Sequence, residues 1–126
     1  MQEFMFLIHN TEDSKSSFTP EKEKEFVTAC QVYIEALTKA GKMISAQPLI
    51  RQGKVISKTN EEWLEVPLDK SKLIQVGYYH ILANDLDDAI AIAKGNPEFQ
   101  YTSTANIEVR PIKMNEEVTQ FVYPSS

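Results

Sequence analysis

Read by hydropathy alone, the chain falls into two similar halves. Each is a short apolar run, then a helical stripe, then another apolar run. Glu3 to His9 (EFMFLIH) is too brief for a helix and rich in Phe and Ile, which predicts a buried strand. Asn10 to Phe18 is polar and serine-rich and reads as a loop, long enough to serve as a lid; a plain surface connection is the simpler alternative. Thr19-Pro20-Glu21 is a helix start. Thr19 can cap, Pro20 suits the first helical position because its missing N–H has no partner there, and Glu21 meets the positive end of the dipole. Phe26, Cys30, Tyr33 and Leu37, flanked by Val27 and Ile34, form one wide apolar stripe. The pattern ends near Ala40, and Gly41 can take the left-handed stop position.

Lys42 to Arg51 predicts a second strand, with Gln52-Gly53 as the tip of a hairpin and Lys54 to Lys58 returning. Thr59 to Leu73 is polar and irregular and carries Trp63 and Pro67. The second half begins with a strand over Gln75–Ala83. Asp85 caps the next helix, with Asp88 completing a shortened capping box, and Leu86, Ala89, Ile90 and Ala93 share one face. Gly95 stops it and Pro97 blocks its continuation. Alternation over Ala105–Lys113 predicts a last strand, followed by a tail whose Phe121, Val122 and Tyr123 call for a docking place on the domain or on a partner. The expected organisation is a domain over residues 1–113 and a tail over 114–126.

The order is β-α-β-(hairpin)-β-α-β. It points to the α+β class, with a ferredoxin-like βαββαβ arrangement and an inserted hairpin. Helices would cover one face of an antiparallel sheet. Both parities of EFMFLIH and of VGYYHILA are apolar, so the other face needs cover as well. The expectation is a homodimer with two sheets packed face to face.

Composition changes this picture little. With 126 residues, one core suffices without a metal or disulfide staple. Cys30 is the sole cysteine, so an intramolecular disulfide is excluded and a cytoplasmic home fits best. The N-terminus has no basic segment ahead of an apolar core, and no apolar run approaches the ~20 residues that span a bilayer. A net charge of −5 argues against nonspecific nucleic-acid or anionic-membrane partners.

The opening EFMFLIHN, the passage YIEALTKAGKMISAQPL, the unit GYYHILANDLDDAIAIAKGNP and the closing IEVRPI together resemble the YCII-related family, in particular its DGPF branch. The resemblance implies the dimeric α+β barrel form of the ferredoxin-like fold. It implies little about activity: some relatives use a His–Asp pair, and others are encoded beside sigma factors. Where the branch reads DGPF, this chain has Glu65-Val66-Pro67-Leu68. Roles of the missing Asp and Gly do not carry over, and no catalytic pair can be matched residue by residue.

Candidate chemistry is sparse. His9 and His80 are the only histidines, and no metal-binding spacing or phosphate-cradling glycine loop is present; no cofactor or metal is expected. Cys30, within an apolar helix stripe, reads as a structural thiol. Glu108 and Arg110 share the side of the last strand opposite Ile107 and Val109. They are either a structural or solvated ion pair, or an anchor in which Arg110 grips a carboxylate or phosphate. His80 shares parity with Tyr78, and with His9 and Arg110 it could form a polar patch supplying an acid or base. The alternative is a satisfied, partly buried histidine. Arg51 and Trp63 could rim a pocket. The leading expectation is a homodimer binding a small anionic organic molecule, with catalytic candidates His80 and His9 and ligand-binding candidates Arg110, Glu108, Tyr78 and Arg51. Whether it turns that molecule over is left open. The alternatives are a noncatalytic partner of a transcription factor, and cofactor-free oxygenation by fold analogy.

Overall fold

The structure is a computed structural model and describes residues 1–69 and 71–124. It is α+β. The strands are β1 (Gln2–Asn10), β2 (Met43–Pro48), β3 (Lys54–Thr59), β4 (Glu62–Pro67), β5 (Ile74–Ala83) and β6 (Asn106–Pro111); the helices are α1 (Pro20–Lys39), α2 (Leu86–Lys94) and the short α3 (Glu98–Tyr101). One antiparallel sheet has the order β2-β5-β1-β6, and β3 and β4 form a second, two-stranded sheet.

Both long helices start as their sequences dictate. Thr19 Oγ1 accepts from Lys22 N at 3.1 Å, and Pro20 occupies the first turn. Asp85 Oδ1 accepts from Asp88 N at 2.8 Å, while Asp88 Oδ2 accepts from Asn84 N at 2.8 Å. The shorter acid thus closes its capping box one residue further back than a Glu would. Gly41, at φ +72°, follows α1 in the left-handed region. Pro97 does more than end α2: it leads directly into α3, which the expected layout lacks.

The predicted hairpin is misplaced. Lys42–Arg51 yields only β2, which pairs with β5, and Gln52-Gly53 is no hairpin tip. The hairpin is β3–β4, and its turn is Asn60-Glu61, with φ of 49° and 71°. Two successive positive φ values give the mirror-image turn that matches strand twist; Asn takes that conformation readily, but Glu in the place of Gly hides the signal. The stretch read as irregular therefore contains a six-residue strand.

The core lies on one face of the larger sheet. Phe4, Phe6, Ile8, Tyr79 and Ile81 pack there against Ala89 and Ala93 of α2, with Tyr33 and Ile34 of α1 partly buried against them. The opposite parity of β1, Glu3-Met5-Leu7-His9, is only half-buried. All twelve residues of β3 and β4 are exposed, and the register puts Val55, Leu64 and Val66 on one side of that arm. The tail closes on itself through an Asn115–Val122 bridge and Phe121–Tyr123 ring contact; residues 125 and 126 lie outside the described residues. No helix is long and apolar enough to cross a membrane among the described residues.

Candidate functional site

A cavity of about 310 Å³ lies between α1 and the sheet. It exists because the α1 stripe does not seat fully: Leu37 is buried, but Phe26, Cys30 and Ile34 stay partly exposed over Ile8, Ala46 and Val76. That volume is at the lower end of small-molecule sites, roughly 300–1,000 Å³. The walls are mainly apolar, with Lys15, Gln47, Arg51, Asn96, Glu98, Tyr79 and Cys30 as the polar exceptions.

Lys15 brings the segment from Asn10 to Phe18 to the edge of this cavity, and three ties hold the segment. Arg51 Nη1 donates to Thr11 O at 2.7 Å, to Glu12 O and to Ser14 Oγ at 3.2 Å. Lys15 Nζ sits 2.8 Å from Glu98 Oε1 and 4.4 Å from the Phe26 ring centroid. Phe18 joins Phe26 and Tyr101 in an aromatic cluster with centroids 5.4–6.4 Å apart.

Behind Lys15 is a buried polar network. Asn10, 0% exposed, donates from Nδ2 to Glu98 Oε1 at 2.8 Å and to Thr102 Oγ1 at 3.0 Å. Its Oδ1 accepts from Thr11 N and Thr104 Oγ1. Asn96 Oδ1 accepts from Glu98 N at 2.9 Å, but Asn96 Nδ2 is buried without a hydrogen-bond partner among the described residues. The amide lies near the Tyr33 and Tyr79 hydroxyls and favours their ionised forms slightly, without bonding geometry to either.

Burial pushes the Cys30 thiol up; the Glu98 carboxylate adds to this and Lys15 offsets part of it. A thiol kept protonated is a poor nucleophile, so Cys30 here acts as a small wall residue. Burial likewise drives the Tyr33 and Tyr79 phenols well above their ordinary range, with Tyr79 adding to the shift at Tyr33, and Cys30 and Glu98 adding to it at Tyr79. A pH dependence follows. The unfolded chain ionises at roughly 8.5 for Cys and 10 for Tyr, whereas the fold moves all three upward. Their contribution to stability is complete below the unfolded values and lost as pH rises toward the folded ones. Thermal melts above about pH 9 are expected to show a falling Tm, and Tyr79→Phe should flatten that fall. A Tm that holds to about pH 11 would contradict it.

The sequence-predicted residues divide between the two faces of the sheet. Arg51 lines the cavity. His80, Tyr78, Arg110, Glu108 and His9 belong to the opposite, half-exposed face. There His80, Met5 and Arg110 form one row across β5, β1 and β6. His9 pairs with Gln75 and Asn106, four residues along β1 from Met5, so roughly 13 Å separates the histidine levels. His80 is held instead by Glu3, Nε2 to Oε1 at 2.6 Å, with both side chains less than a fifth exposed. Glu108 and Arg110 pair at 3.6 Å on the edge strand with side chains 49% and 66% exposed, an arrangement worth little in water. Trp63 stands on the β3–β4 arm with Lys58 over its ring, away from Arg51's cavity. Among the described residues no group of three or more His, Cys, Asp or Glu converges as a metal site would.

Asn10, Glu98, Asn96 and Glu3 escaped sequence reasoning. Asn10 gave a signal: it continues the buried parity Phe4, Phe6, Ile8, where a polar residue calls for partners. Comparison of the chain with models of known protein families gives no match, and comparison with curated proteins gives none.

Proposed function

We propose that the chain is a YCII-like protein of ferredoxin-like topology that forms a homodimer, as a dimeric α+β barrel, and holds a small anionic organic molecule in the cavity under α1. The observation that carries this reading is the cavity itself. It is apolar enough to desolvate a small body, and two cations, Lys15 and Arg51, face it against one carboxylate, Glu98. That balance favours an anion. Two features support the second subunit: the half-buried apolar residues Met5, Leu7 and Leu82 on the open sheet face, and the exposed Val55–Leu64–Val66 side of the β3–β4 arm. The strand order supports the topology, since β1 lies between β5 and β6.

Both histidines are on the far side of the sheet from the cavity, so the reading is one of binding, without histidine acid–base chemistry from the same chain. A thermal-shift screen of small carboxylates and phosphates tests it. A ligand at a hundred times its Kd adds about 2.7 kcal/mol, a readily visible Tm increase. The increase should appear in wild type and Arg110→Ala and disappear in Arg51→Ala, with Arg51→Lys retaining part of it. An equal shift in Arg51→Ala would rule the cavity out as the anion site. The exposed arm also favours a second reading, a noncatalytic or regulatory protein that docks another protein through Val55, Leu64 and Val66.

A further inference from the structure

We infer that one wall of the cavity receives a neutral carbonyl oxygen: the bound molecule carries a ketone, ester or similar uncharged acceptor at a donor cluster made by Asn96, Tyr79 and Cys30. This rests on the cavity being a ligand site.

All three residues line the cavity. Each offers a hydrogen: an amide N–H, a phenol O–H and a thiol S–H. Asn96 is 2% exposed, its orientation is set by Oδ1 accepting from Glu98 N, and its Nδ2, although near the Tyr33 and Tyr79 hydroxyls, makes no well-formed hydrogen bond among the described residues. A buried donor with no well-placed protein partner favours any acceptor that reaches it. A single water would satisfy it, but a cavity of about 310 Å³ has room for far more than one water. Apolar neighbours Ile34 and Val76 leave the space beside the cluster suited to a hydrocarbon body.

Charge decides between a neutral acceptor and a carboxylate. Glu98 is the carboxylate that lines the cavity, and it raises the cost of ionising both Cys30 and Tyr79. A ligand carboxylate on the same donors would meet the same field. Lys15 offsets it only in part, since its ammonium is already committed to Glu98 at 2.8 Å. An anionic group is better placed toward Arg51, and the uncharged oxygen toward Asn96 and Tyr79.

The test uses three probes of one skeleton, cyclohexanone, cyclohexanecarboxylate and methylcyclohexane, titrated into the full chain and followed by backbone amide NMR. Tyr79→Phe removes one donor and keeps the ring. Asn96→Ala removes the other. Each is expected to weaken cyclohexanone about five- to tenfold and to leave the other two probes within about twofold. Arg51→Ala is expected to weaken the carboxylate alone. Cyclohexanone binding untouched by both donor variants, or a carboxylate weakened by them as much as the ketone, overturns the inference while the cavity stands. Failure of every probe, methylcyclohexane included, to perturb the cavity's amides overturns the cavity reading and the inference with it.

Discussion

Replacing Glu98 by alanine lowers the unfolding free energy by about 2–4 kcal/mol, measured by urea denaturation. Its carboxylate is 6% exposed and accepts from two groups, Lys15 Nζ and Asn10 Nδ2. Breaking a fully buried pair costs about 3–5 kcal/mol because the surviving charge is stranded. Lys15 is 24% exposed and can turn to water, which reduces the figure. Asn10 cannot: with no exposure, its Nδ2 keeps Thr102 but loses Glu98. Glu98→Gln, which keeps an acceptor and drops the charge, should cost about half as much. Asn10→Ala should cost a similar amount, and the double variant should fall well short of the sum because both delete the same bond. A loss under about 1 kcal/mol for Glu98→Ala would mean that the network is loosely solvated.

Leu7→Asp, in contrast, should leave the protomer folded and weaken the proposed homodimer by at least a hundredfold, read by sedimentation velocity over a range of concentrations. Leu7 shares its face with Met5, Tyr78 and Glu108 and is half-exposed in the single chain, so its charge stays hydrated there. Packed against a second sheet, the same carboxylate would be buried without a partner. Phe6, one residue away, is fully buried on the other face; Phe6→Ala should cost about 3–5 kcal/mol of stability in any assembly state. The pair of variants separates interface from core along one strand. Wild-type protein that stays monomeric at about 100 μM would remove the dimer from consideration, because sheet interfaces of ordinary size bind more tightly.

Local chemistry was legible in the sequence, and pairings between distant segments were not. Thr19-Pro20 and Asp85 announce helices because a cap is decided within four residues, and the structure bears out both starts. The hairpin was misread because Gln52-Gly53 carries the glycine that such turns favour, while the actual turn, Asn60-Glu61, pays a steric penalty at Glu61. Arg51 was named as a binding residue and does line the cavity, although what it ties down, the backbone of Thr11 and Glu12, has no side-chain signature. Gly95 and Pro97 read as a helix stop, and α2 does end there. The same passage also delivers Asn96 and Glu98 to the cavity, a role that depends on Asn10 and Lys15 some eighty residues earlier. His80 was singled out, but its partner Glu3 becomes visible only once the β1–β5 register is known.

The central place of β1 has a consequence for biosynthesis. Phe6 pairs with Tyr79 on one side and Val109 on the other, so the earliest-made strand of this sheet is flanked by its two latest. Until β6 emerges, one edge of an apolar strand stays open, and closing these long loops carries an entropic cost. Helix α1 can form early, but the sheet beneath it is completed only once Asn106–Pro111 has been made. Chains truncated before Asn106 should therefore reach the chaperones or aggregate, whereas loss of the self-closed tail should be tolerated.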